Sequence, residues 1–211
     1  MNIAIIGATG KQGKLLVNEA MKRGHQVTAI VRNKQKLSDF RGNIIEKDIF
    51  QLTYDDIKDQ EVIIDAIGAW TLEEMPLFYT TLDYLSDLLS GKSNRLLVVG
   101  GAGSLYVDKE HTLRLMDTPE FPDMFKPVAT NMGIGFDNLI KRDDVNWTYF
   151  SPAANFDAEG KRTGEYLLGK DELILNKSGN SYISYADYAI AMIDEAEKGS
   201  HIKSRFTAVS E

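Results

Sequence analysis

The stretch that most constrains this chain is its beginning, MNIAIIGATGKQGKLL. A short β-rich apolar run, Asn2 to Ile6, leads at once into Gly7-x-x-Gly10-x-x-Gly13. Lys11 to Arg23 follows, with Leu15, Leu16, Val17, Ala20 and Met21 as an apolar stripe at helical spacing. Strand, glycine turn and helix in that order open a βαβ unit, whose second strand returns parallel to the first by a right-handed crossover. Glycine permits the tight turn, and the missing Cβ lets backbone approach a pyrophosphate. The amides of the helix N-terminus then face the phosphates, with the helix dipole favouring their charge. The spacing departs from the commoner G-x-G-x-x-G, so the context of strand and helix carries the reading of a dinucleotide cradle. The bland alternative is a tight turn with no ligand.

The same alternation continues along the chain. HQVTAIVR, GNIIEKD, EVIIDAIG, NRLLVVGG and NWTYFSP read as strands two to six, and the unbroken Val-Ile-Ile run of the fourth predicts burial on both faces. Gly24 reads as the C-cap of the first helix. A helix is expected over Pro76 to Leu89, its proline tolerable only in the first turn. Thr118-Pro119-Glu120 reads as a helix start, with Pro127 separating that helix from another running to about Arg142. DELILNKSGNSYIS reads as a hairpin turning at Lys177-Ser178-Gly179-Asn180. Ser184 to Asp187 reads as the cap of a last helix reaching about Lys198, and SRFTAV as a closing strand. The expected fold is α/β: a doubly wound parallel Rossmann sheet with a small C-terminal substrate-side subdomain. One domain is expected over residues 1–211, with residues 152–183 as a substrate-side insertion.

Composition narrows the function classes. The chain has no cysteine, which removes thiol catalysis, disulfides and thiolate metal sites. Its three histidines, His25, His111 and His201, are far apart, so no metal site is expected, although His111 could approach the site from the loop after strand five. A net charge of −7 without a basic run argues against nucleic acid as a partner. No apolar run approaches the roughly 20 residues of a membrane span, and the N-terminus does not read as a secretory signal. The expected setting is the cytoplasm, the expected partner a small molecule, and the oligomeric state is left open.

The strand ends select the ligand. An NAD site usually carries an acid after the second strand, to accept from the ribose hydroxyls. Here Ile30-Val31-Arg32-Asn33 stands there instead. Arg32 can pair with a 2′-phosphate, with Lys36 as a second charge, so NADP is favoured over NAD. Asp48 after the third strand can accept from an adenine amino group, and Ile49 can pack on the ring. Ala66-Ile67-Gly68 ends the fourth strand in small residues that let a cofactor pass. Trp70, Met75, Leu77 and Phe78 could wall a flat ring, with Phe156 and Tyr166 closing over it. Core packing is the competing account of these aromatics.

With GATGKQG, IVRN, KDIF, VVGGAGSLYV and the long segments after Ser151 in view, the whole chain resembles the atypical short-chain dehydrogenase/reductase family. The nearest branch is that of the NAD(P)-binding NADH-flavin reductases. The N-terminal half is more distantly similar to biliverdin-IXβ/flavin reductases and NmrA-like redox sensors. The resemblance implies a Rossmann fold, bound NADP(H) or NAD(H), and a flavin as substrate. It implies that Gly7, Thr9, Gly10, Lys11, Gln12 and Gly13 hold the pyrophosphate, Arg32 and Lys36 the 2′-phosphate, and Asp48 and Ile49 the adenine. Ala66, Ile67 and Gly68 would then line the ribose path. Gly100, Gly101 and Ser104 would lie near the nicotinamide, covered by Pro152, Ala153 and Ala154.

The family's usual Tyr-x-x-x-Lys pair, in which lysine lowers the tyrosine's pKa for proton shuttling, has no match on the helix after strand five. Tyr54-x-x-x-Lys58 and Tyr166-x-x-x-Lys170 have the spacing but follow the wrong strands, and no tyrosine lies between Val107 and Thr148. Ser104 and Tyr106 are the candidate catalytic groups, with loop hydrogen bonding and packing as their structural alternatives. Hydride transfer to a flavin or similar flat acceptor needs no such pair. A non-catalytic NADP(H) sensor is the second reading. A nucleotide-sugar epimerase or dehydratase would want the missing pair and a larger C-terminal domain.

Overall fold

The computed structural model of the chain describes residues 1–37 and 40–211. The opening motif forms strand β1 (Asn2–Ile6) and helix α1 (Lys11–Lys22). The alternation then gives β2 (Gln26–Val31), β3 (Asn43–Glu46), α2 (Tyr54–Ile57), β4 (Val62–Asp65), α3 (Leu77–Leu88), β5 (Arg95–Val99), α4 (Lys126–Leu139) and β6 (Asn146–Ser151). The chain closes with β7 (Asn155–Asp157), β8 (Tyr166–Gly169), β9 (Tyr182–Ser184), α5 (Tyr185–Lys198) and β10 (Ser204–Ser210).

The main sheet has the order β3-β2-β1-β4-β5-β6-β10-β8. All neighbouring pairs from β3 to β10 are parallel, and β8 adds antiparallel to β10 at the edge. This is a Rossmann-like α/β fold. The strands show why their sequences are so apolar. In β1, Ile3 and Ile5 enter the core beneath α1 and α5, whereas Ala4 and Ile6 enter the core beneath α3 and α4. β4 is buried throughout, as a parallel strand covered on both faces must be. Strand order reverses between β1 and β4, so a crevice opens at their carboxyl ends, where folds of this kind take ligands.

Two expectations are corrected. DELILNKSGNSYIS is not a hairpin. Its turn is real, with the Asn176 carboxamide oxygen accepting from the amides of Ser178 and Asn180. The arms nevertheless find distant partners: Asp171 to Leu173 pairs with Tyr106, and β9 pairs in parallel with β7. Thr118 does not start a helix either. Its hydroxyl donates back to the Leu115 carbonyl at 2.8 Å, closing a 3₁₀ turn, and α4 begins at Lys126 with Pro127 in its first turn. Proline fits there because no intrahelical partner exists for its missing N–H. The Ser184 cap is as expected: its hydroxyl oxygen accepts from the Asp187 amide at 3.0 Å.

Candidate functional site

The crevice is built around the turn from β1 to α1. Gly7 has φ +78°, and a Cβ there would lie 2.5 Å from the Ala66 carbonyl oxygen. A methyl on Gly13 would collide with the Gly7 carbonyl. Both glycines are therefore demanded by close packing of turn, helix and β4. Gly10 differs: its nearest neighbour would be the Gly7 carbonyl oxygen at 3.3 Å, so its open side is not filled by protein.

Helix α1 has no side-chain cap and no acid in its first turn. The first helical bond is from the Lys14 amide to the Gly10 carbonyl, at 2.9 Å. Among the described residues, the amides of Lys11, Gln12 and Gly13 find no backbone acceptor. Such amides, with the dipole behind them, are the arrangement that can hold an anion. Gln12 is buried, its Nε2 donates to the Tyr185 carbonyl at 3.3 Å, and its Oε1 has no partner. Thr9 is half-buried beside it. Lys11 is exposed and pairs with Glu159 at 3.1 Å, which links the cradle to the insertion.

Arg32 and Lys36 stand exposed beyond β2, and neither forms an ion pair among the described residues. Asp48 caps a 3₁₀ turn, its Oδ1 accepting from the Phe50 amide at 3.0 Å. Ile49, expected to lie on an adenine ring, packs mainly into the core beneath α3 and α4, while Phe50 is exposed. On β4's exit, Ala66 and Ile67 are half-buried and Gly68 is exposed, with the Trp70 ring beside it.

The loop after β5 holds both candidate catalytic groups in contacts of its own. Ser104 is only 3% exposed, and its carbonyl and hydroxyl oxygens both accept from Arg205 Nη1, at 2.8 and 3.1 Å. Its hydroxyl oxygen is thus engaged by a buried guanidinium. Tyr106 stacks on His111 at 4.5 Å between ring centroids, with Arg205 5.6 Å from its ring. His111 in turn meets Glu172 at 2.6 Å. Arg205 also donates to Asp171 at 2.9 Å and lies over Phe136, so one buried guanidinium binds this loop to the segment after β8. Gly100 is buried against Tyr149. At the end of β6, Pro152 and Ala153 are buried, while Ala154 is exposed with its amide donating to Ser181 Oγ at 3.1 Å.

The remaining expected groups are dispersed. Phe156 packs on Tyr185 and Tyr188, and Tyr166 donates to Asp194 at 2.6 Å, so neither closes over the crevice. The Tyr54 hydroxyl donates to Asn94 while Lys58 pairs with Asp55, so these two do not act together. Among the described residues no cluster could hold a metal ion, and no helix is long and apolar enough to cross a membrane.

Two residues near the crevice went unread in the sequence. Asp65, which ends β4, is 6% exposed, and among the described residues its carboxylate accepts only from the Ile67 amide, at 3.1 Å. Burial pushes its pKa up to about 6, with the Ile67 hydrogen bond opposing. It borders a cavity of about 10 Å³, room for about one water, shared with Thr81, Met132 and Tyr149. The Tyr149 hydroxyl accepts from the Gly101 amide at 3.2 Å, and burial pushes it up to about 12. A carboxylate closing an apolar run, as in VIID, was the available signal. Asp187 is the other: besides its place in the cap of α5, it accepts from the Thr163 and Gly164 amides and from the hydroxyls of Thr163 and Ser210. Burial works against its charge, yet these bonds hold its pKa below the usual value.

A parallel sheet with its order reversing at a glycine-lined, uncapped helix start defines a nucleotide-binding class of protein. The chain belongs to the NAD(P)H-binding family, whose sequence model matches residues 7–197. An uncharacterised Bacillus subtilis protein, YwnB, is 52% identical over all of this chain and 99% of its own length. A crystal structure from Streptococcus pneumoniae, of a protein named "putative NADH-flavin reductase", is 46% identical with a TM-score of 0.96, covering 100% of both chains. A Bacteroides thetaiotaomicron structure, provisionally named as an epimerase, is 39% identical with a TM-score of 0.86, covering 99% of this chain and 96% of its own. The neighbours thus share the fold while their names point to different chemistry.

Proposed function

We propose that the protein binds NADP(H) and acts as a reductase that passes a hydride to a flavin or a similarly flat acceptor. The observation that carries this is the α1 N-terminus: three amides without backbone acceptors, an orphaned Gln12 Oε1 and an open side at Gly10. Lys11, Gln12 and Gly13 would hold the pyrophosphate by their amides, and the Gly7 turn would keep that backbone rigid. Arg32, with Lys36 behind it, would read a 2′-phosphate by charge-assisted hydrogen bonds. Asp48 keeps Oδ2 available to accept from the adenine amino group. When bound, the reduced nicotinamide supplies a hydride. The protein's part is orientation and exclusion of water, with Gly100 and Ala153 keeping the floor close and apolar.

No side chain in this reading supplies a proton, and the acceptor takes it from solvent. Residues 152–183 serve as the substrate-side wall, tied down by Asp187. A soluble protein of the cytoplasm fits this reading. The second reading, a sensor that binds NADP(H) without turnover, is favoured by one observation: Ser104, the polar side chain expected at the nicotinamide, is consumed by Arg205.

NADPH oxidation by the purified protein, with FMN as acceptor under nitrogen and NADH in parallel, tests the proposal. Saturable turnover above a control without protein is the expected result. No turnover alongside tight NADPH binding in the same preparation would remove FMN reduction and leave the sensor.

A further inference from the structure

Trp70 is 79% exposed, and Leu72 beside it is 70% exposed. Burial of so large a ring is favourable, so an exposed tryptophan is an unusual use of apolar surface. Its backbone is held: the amides of Trp70 and Thr71 donate to the Glu74 carboxylate at 3.0 and 3.3 Å, and Thr71 and Glu74 form a capping box over a 3₁₀ turn. Its indole edge lies against Gly68, with Cζ2 3.8 Å and Cε2 3.9 Å from where a Cβ would stand. No other ring stacks on it among the described residues.

Position says what the ring meets. The anion cradle lies at the end of β1, and Arg32 lies beyond β2 on one side of it. A dinucleotide whose pyrophosphate sits in the cradle and whose adenosine half reaches toward β2 must send its other half toward β4. There the chain runs from Ala66, in contact range of the Gly7 turn, to Gly68 and then Trp70. We infer that the Trp70 indole packs against the nicotinamide half of the bound dinucleotide. The inference rests on the dinucleotide reading of the cradle. The ring's large apolar face, on a held backbone and largely solvated, suits a flat heteroaromatic partner.

The chain has two tryptophans, which makes the test direct. Trp147 is buried in β6 and donates to the Arg142 carbonyl at 3.1 Å, so Trp70 alone can touch a ligand in the crevice. NADP⁺ and NAD⁺ are titrated into the wild type and W70F, following tryptophan emission, with calorimetry on both and on W70A. The oxidised dinucleotides do not absorb where tryptophan emits, so a fall in emission reports contact and not long-range energy transfer. Adenosine 2′,5′-bisphosphate serves as the probe lacking the nicotinamide half.

The wild type should lose emission on binding the dinucleotide while W70F does not. W70A should raise the dissociation constant about 10-fold, W70F should stay within about threefold, and the bisphosphate should bind W70A and wild type alike. Binding with unchanged emission, or a W70A affinity within about twofold of wild type, would overturn the assignment and leave the cradle intact. Equal weakening of the bisphosphate would overturn it too, since Trp70 would then not read the nicotinamide half. If neither dinucleotide binds the wild type in the calorimeter, the cradle reading itself fails and takes the assignment with it.

Discussion

Replacing Asp65 by asparagine should make the protein more stable, and more so as pH rises. Burial disfavours the charged form and lifts the folded-state pKa to about 6, from an ordinary value of 3.8. Between those values the folded state binds the proton more tightly than the unfolded one. Stability is therefore lost as pH rises through that window, and the full penalty applies above about pH 6. A rise of that size corresponds to about 3 kcal/mol, of which about half is already present at pH 5. An asparagine at this position would keep an oxygen to accept from Ile67 without carrying a charge. For a chain of this size, 1 kcal/mol moves the melting temperature by roughly 2–4 °C. Thermal melts followed by circular dichroism should show D65N gaining roughly 6–12 °C over wild type near pH 7.5, and about half of that near pH 5. The new amide donor could subtract a constant from both gains, so the pH-dependent difference is the diagnostic quantity. Equal gains at the two pH values, or a loss that grows with pH, would refute the reasoning, because the carboxylate would then be well solvated or paired.

The other expectations concern the cradle and its walls. Arg32→Asp should weaken NADPH at least ~10-fold in calorimetry and leave NADH within about threefold, the loss of one charge-assisted phosphate contact; equal losses would mean that Arg32 does not read the 2′-phosphate. Gly13→Ala should cost about 1–3 kcal/mol in denaturant unfolding, because its methyl meets the Gly7 carbonyl. Gly10→Ala, whose methyl meets one carbonyl oxygen at 3.3 Å, should unfold within about 1 kcal/mol of wild type yet bind the dinucleotide more weakly; a stability loss matching Gly13→Ala would place Gly10 in packing and not in the site. Arg205→Met should cost about 1–3 kcal/mol in the same assay, since it leaves the buried Ser104 carbonyl without its donor; an unchanged midpoint would deny this guanidinium its role as the tie between the two segments.

Much of the molecule was legible because its signals are local. β1, the glycine turn and α1 follow from sixteen consecutive residues, and β4 follows from a run that is apolar on both faces. The glycine turn was legible for the same reason: packing demands Gly7 and Gly13, while Gly10 is exposed. Most of what failed depends on partners far along the chain. The turn at Asn176 has hairpin chemistry, but Asp171 to Leu173 and β9 are claimed by Tyr106 and β7, which no local pattern encodes. Ser104 looked like a polar group at a strand end, and its partner Arg205 is 101 residues away. Thr118-Pro119 has the composition of a helix start, yet its hydroxyl turns back to Leu115 while Pro127 takes the first turn of α4. Asp65 stood in plain view within VIID, but its isolation from any cation is a property of the packed core.

The most direct test of the central claim is a calorimetric titration of NADPH, and separately NADH, into the wild-type protein at fixed salt. One molecule bound per chain, with NADPH the tighter ligand by about 10-fold or more, is what a cradle at Gly7 to Gly13 beside Arg32 predicts. No heat and no binding for either dinucleotide would contradict it and leave the glycine turn as packing alone.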